Sequence, residues 1–161
     1  MFFVFVMLKI VEAHTEKHLE TLRKLFREYA DSLGFDISFQ NFEKELAELP
    51  GDYAPPAGRL YLAIEGKRSA GCIALRKLSV DDCEMKRFYV CPLFRGKGVG
   101  KRLAAALIGE ARQIGYKRML LDTVPSMKRA IVLYRALGFK PIPPYRHNPI
   151  AGASFMELVL D

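Results

Sequence analysis

The sequence predicts a mixed α/β domain with its elements in the order β-α-α-β-β-β-α-β-α-β-β around a mixed sheet. Short runs rich in β-branched and aromatic residues alternate with stretches of helical spacing. Glycine and proline stand at the joints between them. One glycine-rich segment, FRGKGVGKRL from Phe94 to Leu103, falls between a strand-like run and an apolar helical pattern. The 161 residues, half of them apolar, suffice for a single domain over 1–161 with a core that needs neither disulfides nor a metal.

The first strand spans Phe2 to Ala13. Its apolar opening, MFFVFVMLKI, has no positive n-region and no small-residue cleavage site, and is too short to cross a bilayer. Met7 offers an alternative start, which would make residues 1–6 an extension. Thr15 caps a helix carried by Leu19, Leu22, Leu25, Phe26, Tyr29 and Leu33, and Gly34 ends it. Phe39, Phe42, Leu46 and Leu49 mark a shorter helix, stopped by PGDYAPP. RLYLAIEG and SAGCIALRKL are strands joined by a tight turn at Gly66. CEMKRFYVC is a strand closed by Pro92. Beyond the glycine segment come a helix from Leu103 to Ile114, the strand YKRMLLDTV, and the helix SMKRAIVLYRALG. FKPI and SFMELVL close the sheet around a proline-rich loop.

Charge is unevenly placed. Met1 to Met85 holds 11 Lys/Arg against 14 Asp/Glu, whereas Lys86 to Arg146 holds 14 against 2. The net charge of +7 thus belongs to the segment that holds the glycines, and suits a polyanion: nucleic acid or a phosphorylated cofactor. Cys72, Cys83 and Cys91 form no CxxC and are odd in number, which reads as reduced thiols of an intracellular, cytoplasmic protein. His14 and His18 have HxxxH spacing but no third ligand, so no metal is expected.

A helix N-terminus has unpaired N–H groups and a partial positive charge, and glycines there let an anion approach the backbone. Arg95, Lys97, Lys101 and Arg102 add attraction, so the segment is built to hold phosphate. It is not a P-loop: three residues separate Gly96 from Gly100, and Arg102 occupies the hydroxyl position. Nor is it a dinucleotide fingerprint, because Leu103 replaces the third glycine.

The run that fits is RxxGxG, Arg95 to Gly100, after a strand ending in RFYV and some forty residues before AIVLYRALGF. With these blocks in this order, the chain resembles the GCN5-related N-acetyltransferase (GNAT) superfamily over nearly its whole length. The resemblance implies a splayed sheet and acetyl-CoA as acetyl donor. It implies a pyrophosphate held by backbone amides of Arg95, Gly96, Lys97, Gly98, Val99, Gly100 and Lys101. Phe88, Tyr89 and Val90 would line the pantetheine arm, with Ser126 and Tyr134 also at the cofactor. Many members place Asn where this chain has Met127, so the Asn interaction is missing, although Ser126 adjoins it.

Acetyl transfer needs a base for the ammonium, a donor for the oxyanion and a proton for the thiolate. Tyr134 suits the last: a phenol of pKa about 10 can protonate a thiolate of about 8.5 to 9, judged from cysteine. It also matches the family's tyrosine acid, and its other reading is a core aromatic. Glu84 is the candidate base, with burial in an apolar cleft expected to raise its pKa; otherwise it is an exposed glutamate paired with Lys86. Strand alternation places Glu84, Lys86 and Phe88 on one face. The oxyanion donor is the Val90 N–H. Phe39, Tyr145 and Asn148, with His147 nearby, are the expected contacts to a small-molecule or peptide amine. An acyl-CoA-binding sensor and a nucleic-acid-binding domain are the alternatives; the second lacks interleaved aromatics and helix-turn-helix spacing. Neither a membrane nor a nucleic acid is expected as partner, and apolar strand edges allow a homodimer.

Overall fold

A computed structural model describes residues 7–38 and 41–161. Its seven strands are β1 (Leu8–Glu12), β2 (Arg59–Glu65), β3 (Arg68–Lys77), β4 (Asp82–Val90), β5 (Arg118–Thr123), β6 (Lys140–Ile142) and β7 (Ser154–Val159). They form one sheet in the order β1-β2-β3-β4-β5-β7-β6. Every neighbouring pair is antiparallel except β4 and β5. The predicted order of elements is the observed one. The expected start of the first strand, Phe2 to Val6, and the expected substrate contact Phe39 lie outside the described residues.

Helices α1 (Glu16–Ser32) and α2 (Phe42–Glu48) cover one face of the sheet, and α3 (Val99–Ile114) and α4 (Lys128–Ala136) the other. The apolar spacing of α1 turns Leu19, Leu22, Leu25 and Phe26 inward, against Leu60, Leu62, Cys72 and Ala74 of β2 and β3. Thr15 caps α1 by accepting from the His18 N–H at 3.1 Å. On the opposite face Leu103, Ala104, Leu107 and Ala111 of α3 pack with Ile73, Leu75, Met119 and Leu121. The α3 helix begins four residues earlier than its apolar pattern indicates, at Val99, with Gly98 as its N-cap at φ +80°. Gly100 therefore lies inside the first turn.

Two departures from regular strand geometry make the site. β4 and β5 pair in parallel only at Asp82–Arg118, Cys83–Met119 and Glu84–Leu120. Both strands run on beyond Glu84 and Leu120 without pairing to each other, so the sheet opens there. The second departure is a bulge: Cys72 and Ala74 of β3 face Tyr89 and Lys86, so β4 carries one residue more than its partner. Arg87 absorbs it with φ +56°, a conformation costing a non-glycine residue about 1–3 kcal/mol. Its guanidinium is clamped by both oxygens of Glu45, at 2.7 and 2.9 Å, and lies over the rings of Phe42 and Tyr29.

The bulge overturns the expected alternation. Glu84 and Lys86 stand opposite Arg76 and Ala74 on the α1–α2 face, whereas Phe88 packs with α3 and α4. Because the extra residue changes the parity, Arg87 joins the α1–α2 side as well.

Candidate active site

The gap between β4 and β5 holds two adjoining cavities. The larger is a groove of about 540 Å³ that runs from α1 past the end of β4 to the start of α3 and α4. The smaller, of about 40 Å³, lies deeper in the gap, and Tyr29, Leu33, Phe88 and Met127 line both.

At the mouth of the groove, the first turn of α3 has no side-chain cap, and its leading N–H groups have no acceptor within the helix. Gly96 and Gly98 both have positive φ, +79° and +80°, and nothing lies within 4 Å of where a Cβ would stand. The open backbone fits a phosphate chain. Gly100 is needed for another reason: its Cβ would come within 2.9 Å of the tip of the Phe88 ring, beside Val90 and Leu133. All three line the groove. If the groove holds the coenzyme A that the resemblance implies, Gly100→Ala is expected to weaken its binding by about tenfold, the value of one charge-assisted hydrogen bond that a narrowed groove prevents. Equilibrium dialysis measures this, and the far-UV spectrum should not change.

The predicted phosphate segment divides on inspection. Arg95, Gly96, Gly98, Val99 and Gly100 line the groove, and Val99 buries its side chain in the core. Lys97 instead lies over the Phe94 ring, 5.6 Å from its centroid, and neither it nor Lys101 lines the groove. Lys128 and Arg129, at the start of α4, do line it and were missed; KR in a helix pattern reads as a solvated face. Ser126 lines the groove beside Met127, as do Phe88, Tyr89 and Val90. The Cys91 N–H donates to Ala70 across the ladder, so by antiparallel alternation the Val90 N–H turns away from β3, toward the gap. The Val90 carbonyl accepts from Arg95 Nε at 3.1 Å.

The smaller cavity is lined by Lys86, Arg87, Asp122, Thr123, Tyr134 and Asn148, among others. Tyr134 is buried between Phe88 and Phe139, with ring centroids 6.1 and 5.7 Å away. Burial pushes its phenol up, so it keeps its proton. Burial also lowers the pKa of Lys86, helped by Arg87, and leaves it at about 8. Asn148, an expected substrate contact, donates to Asp122 Oδ2 at 3.1 Å.

Glu84 lies outside both cavities, and its expected apolar setting is corrected. It is fully buried, but Oε1 accepts from Arg76 Nε at 2.8 Å, and Oε2 from the Tyr145 hydroxyl at 2.5 Å and from Arg146. Burial pushes its pKa up; the charges of Lys86, Arg76 and Arg146, with the Tyr145 bond, outweigh that and hold it below the ordinary range. Tyr145 is thus turned onto Glu84 and packed edge to face with Phe155 rather than set in the cavity wall. The partners of Glu84 stand 8, 61 and 62 residues away, beyond the reach of any local pattern.

His147 is exposed, and His14 and His18 pack edge to face at the surface. Among the described residues no group of three metal-ligating side chains occurs, and no helix is long and apolar enough to cross a membrane. The three cysteines are free; burial raises Cys72, and Cys83 to about 12, so neither is a ready nucleophile.

The model of the Acetyltransferase (GNAT) family matches residues 18–139, which include the β4 and α4 walls of both cavities and the α3 wall of the groove. The chain belongs to this family. A GNAT relative, an uncharacterized N-acetyltransferase of Schizosaccharomyces pombe, is 38% identical over 142 residues, covering 87% of each chain. Another from Dictyostelium discoideum is 30% identical and covers 96% of this chain and all of its own. Among solved structures, an acetyltransferase from Streptococcus agalactiae superposes with a TM-score of 0.79 at 23% identity, over 95% of this chain and 98% of its own. The yncA acetyltransferase of Salmonella typhimurium, solved with acetyl-CoA, gives a TM-score of 0.66 at 21% identity, over 96% of this chain and 94% of its own. These relationships identify the GNAT fold of this chain and make it an acyltransferase.

Proposed function

We propose that this GNAT protein transfers an acetyl group from acetyl-CoA to a primary amine of a small molecule or peptide, by direct attack of the amine. One observation carries the reading: a phosphate-compatible groove opens into a polar cavity whose wall includes a neutral, buried tyrosine. The groove residues fit coenzyme A, with Gly96, Gly98, Val99 and Gly100 offering main-chain N–H groups and Arg95, Lys128 and Arg129 offering charge. Acetyl-CoA supplies an acyl carbon activated by a thiolate leaving group.

The remaining roles fall to the chain's own side chains. The Val90 N–H, turned into the gap, serves the oxyanion. Tyr134 gives its phenolic proton to the departing sulfur; the apolar surroundings that keep the phenol neutral equally favour a neutral thiol. For the base, we favour Asp122, which lines the cavity, over Glu84, whose oxygens are occupied by Arg76, Arg146 and Tyr145. Asp122 takes the ammonium proton, and Asn148 holds its carboxylate in place.

The test is thiol release from acetyl-CoA with a panel of amines, polyamines, aminoglycosides, amino acids and peptides. Release that depends on one class of amine is the expected result. Failure of every acceptor to release thiol from a protein that binds coenzyme A would leave a sensor instead.

A further inference from the structure

The sheet face that α1 and α2 cover is left unfinished over β5 and β7. Met119 and Leu121 of β5 belong to the core under α3 and α4, so by alternation Leu120 and Asp122 turn to the other face. Phe155 of β7 stands opposite Asp122. Leu120 and Phe155 are both buried, yet neither belongs to the core beneath α1 and α2. The chain between β6 and β7, residues 143–153, reaches this region: the Tyr145 ring packs edge to face with Phe155, 5.4 Å between centroids.

This segment is tied to both sides of the gap between β4 and β5. On β4, Oε2 of Glu84 accepts from the Tyr145 hydroxyl at 2.5 Å and from Arg146. On β5, Asp122 accepts from the Asn148 amide at 3.1 Å, and Asn148 Oδ1 accepts from the Ile150 N–H at 3.0 Å, which fixes the orientation of that amide. Gly152 lies against Pro125, where a Cβ would come within 2.8 Å of the ring. Between these ties little else holds the segment. None of its residues is buried, and none belongs to either core cluster. A stretch fixed by a few side-chain hydrogen bonds is of the kind that opens locally while the rest stays folded.

Asn148 lines the smaller cavity, and no residue of 143–153 lines the groove. A volume of about 40 Å³ holds only a few water-sized groups, since one needs about 10–15 Å³ on this measure. An amine carried on a larger molecule therefore needs a wall that gives way. The β4 and β5 walls are held in ladders, and those of α1 and α4 by core packing. Residues 143–153 are held by neither.

We propose that residues 143–153 form a strap over the acceptor's end of the site, which opens to admit the amine and closes over it, with Glu84 as the post that holds it shut. The acceptor's part in this rests on the acetyl-transfer reading above. Glu84 is then a positioning residue: it acts through Tyr145 and Arg146, and the shut strap sets Asn148 on the Asp122 carboxylate. The cofactor's end is independent, because the strap does not reach the groove.

Limited trypsin digestion of the intact protein tests this, with each cut identified by mass. The Arg146–His147 bond lies in the strap, and the Arg118–Met119 bond at the start of β5. When reclosing outpaces cleavage, the cutting rate follows the open population. The parent should be cut after Arg146 at least about tenfold faster than after Arg118, since a local opening is easier than a global one. Tyr145→Phe keeps the ring on Phe155 and removes only the hydroxyl bond to Glu84. It should speed the cut after Arg146 by at least about tenfold, the contribution of a hydrogen bond to a charged group, and leave coenzyme A retention in equilibrium dialysis unchanged. Equal rates at the two bonds in the parent, or a cut after Arg146 unmoved in Tyr145→Phe, would overturn the strap. Spermidine, kanamycin, glycine and trialanine are then added in turn to the protein saturated with coenzyme A. Any of them that releases thiol from acetyl-CoA should slow the cut after Arg146 by at least about threefold, because a bound amine favours the shut form. A reactive amine that gives no such protection would end the closing role while leaving acetyl transfer intact. If none releases thiol, it is the acetyl-transfer reading that fails, and the two cutting rates without amine still decide whether the strap exists.

Discussion

Tyr134→Phe is expected to lower kcat by at least about a hundredfold, the usual contribution of a positioned proton donor. Affinity for coenzyme A should hold, because Tyr134 lines the smaller cavity and not the groove. The variant keeps both ring contacts, to Phe88 and Phe139, so its melting temperature should stay within a few degrees of the parent. The comparison requires single-turnover thiol release together with equilibrium dialysis of coenzyme A. Loss of rate with intact binding assigns the phenol to the chemistry. Loss of both together, with a lower melting temperature, would make Tyr134 a packing residue, the other reading its sequence allows. A rate unchanged within threefold would remove it from the mechanism and turn attention to water as the proton source.

How much of this was legible in the sequence depends on the distance over which each feature is encoded. The order of elements is local information, carried by apolar spacing and by glycine and proline at the joints, and all eleven elements stand in the expected order. The glycine turn before α3 was legible for the same reason: Arg95 to Gly100 is contiguous, and positive φ at Gly96 and Gly98 favours glycine where it stands. Features that depend on three-dimensional meetings were not legible. Tyr29 and Leu33 follow the core spacing of α1, so nothing marks them as walls of the groove. The bulge at Arg87 has no sequence signal, since the residue at positive φ is neither Gly nor Asn. That single extra residue puts Phe88 and Lys86 on opposite faces of the sheet. Asp122 falls within the strand run YKRMLLDTV, and its rarity in a basic segment is the one signal the sequence offers.

Glu84→Ala is the second large effect, and it falls on stability. Removing one partner of a buried ion pair costs about 3–5 kcal/mol, and the lower end applies because Arg76 and Arg146 are each about a quarter exposed. For a chain of this size that corresponds to a fall of about 6–12 °C in melting temperature. The sign of the pH dependence follows from the depressed carboxyl. Glu84 stabilises the fold fully above its ordinary pKa of 4.5, and the contribution is lost as pH falls below that value through the folded-state pKa. Urea unfolding at a series of pH values should therefore show the parent losing stability more steeply below pH 4.5 than Glu84→Ala. The conservative variant Glu84→Gln separates this role from catalysis. It keeps the volume and some hydrogen bonds to Arg76, Tyr145 and Arg146, so it should remain folded at about 25 °C with kcat far closer to the parent than Tyr134→Phe. Should Glu84→Gln instead lose rate as Tyr134→Phe does, while Asp122→Asn keeps it, the proton from the ammonium must reach Glu84. The network of two guanidinia and a phenol would then be the device that holds that base ionised at neutral pH.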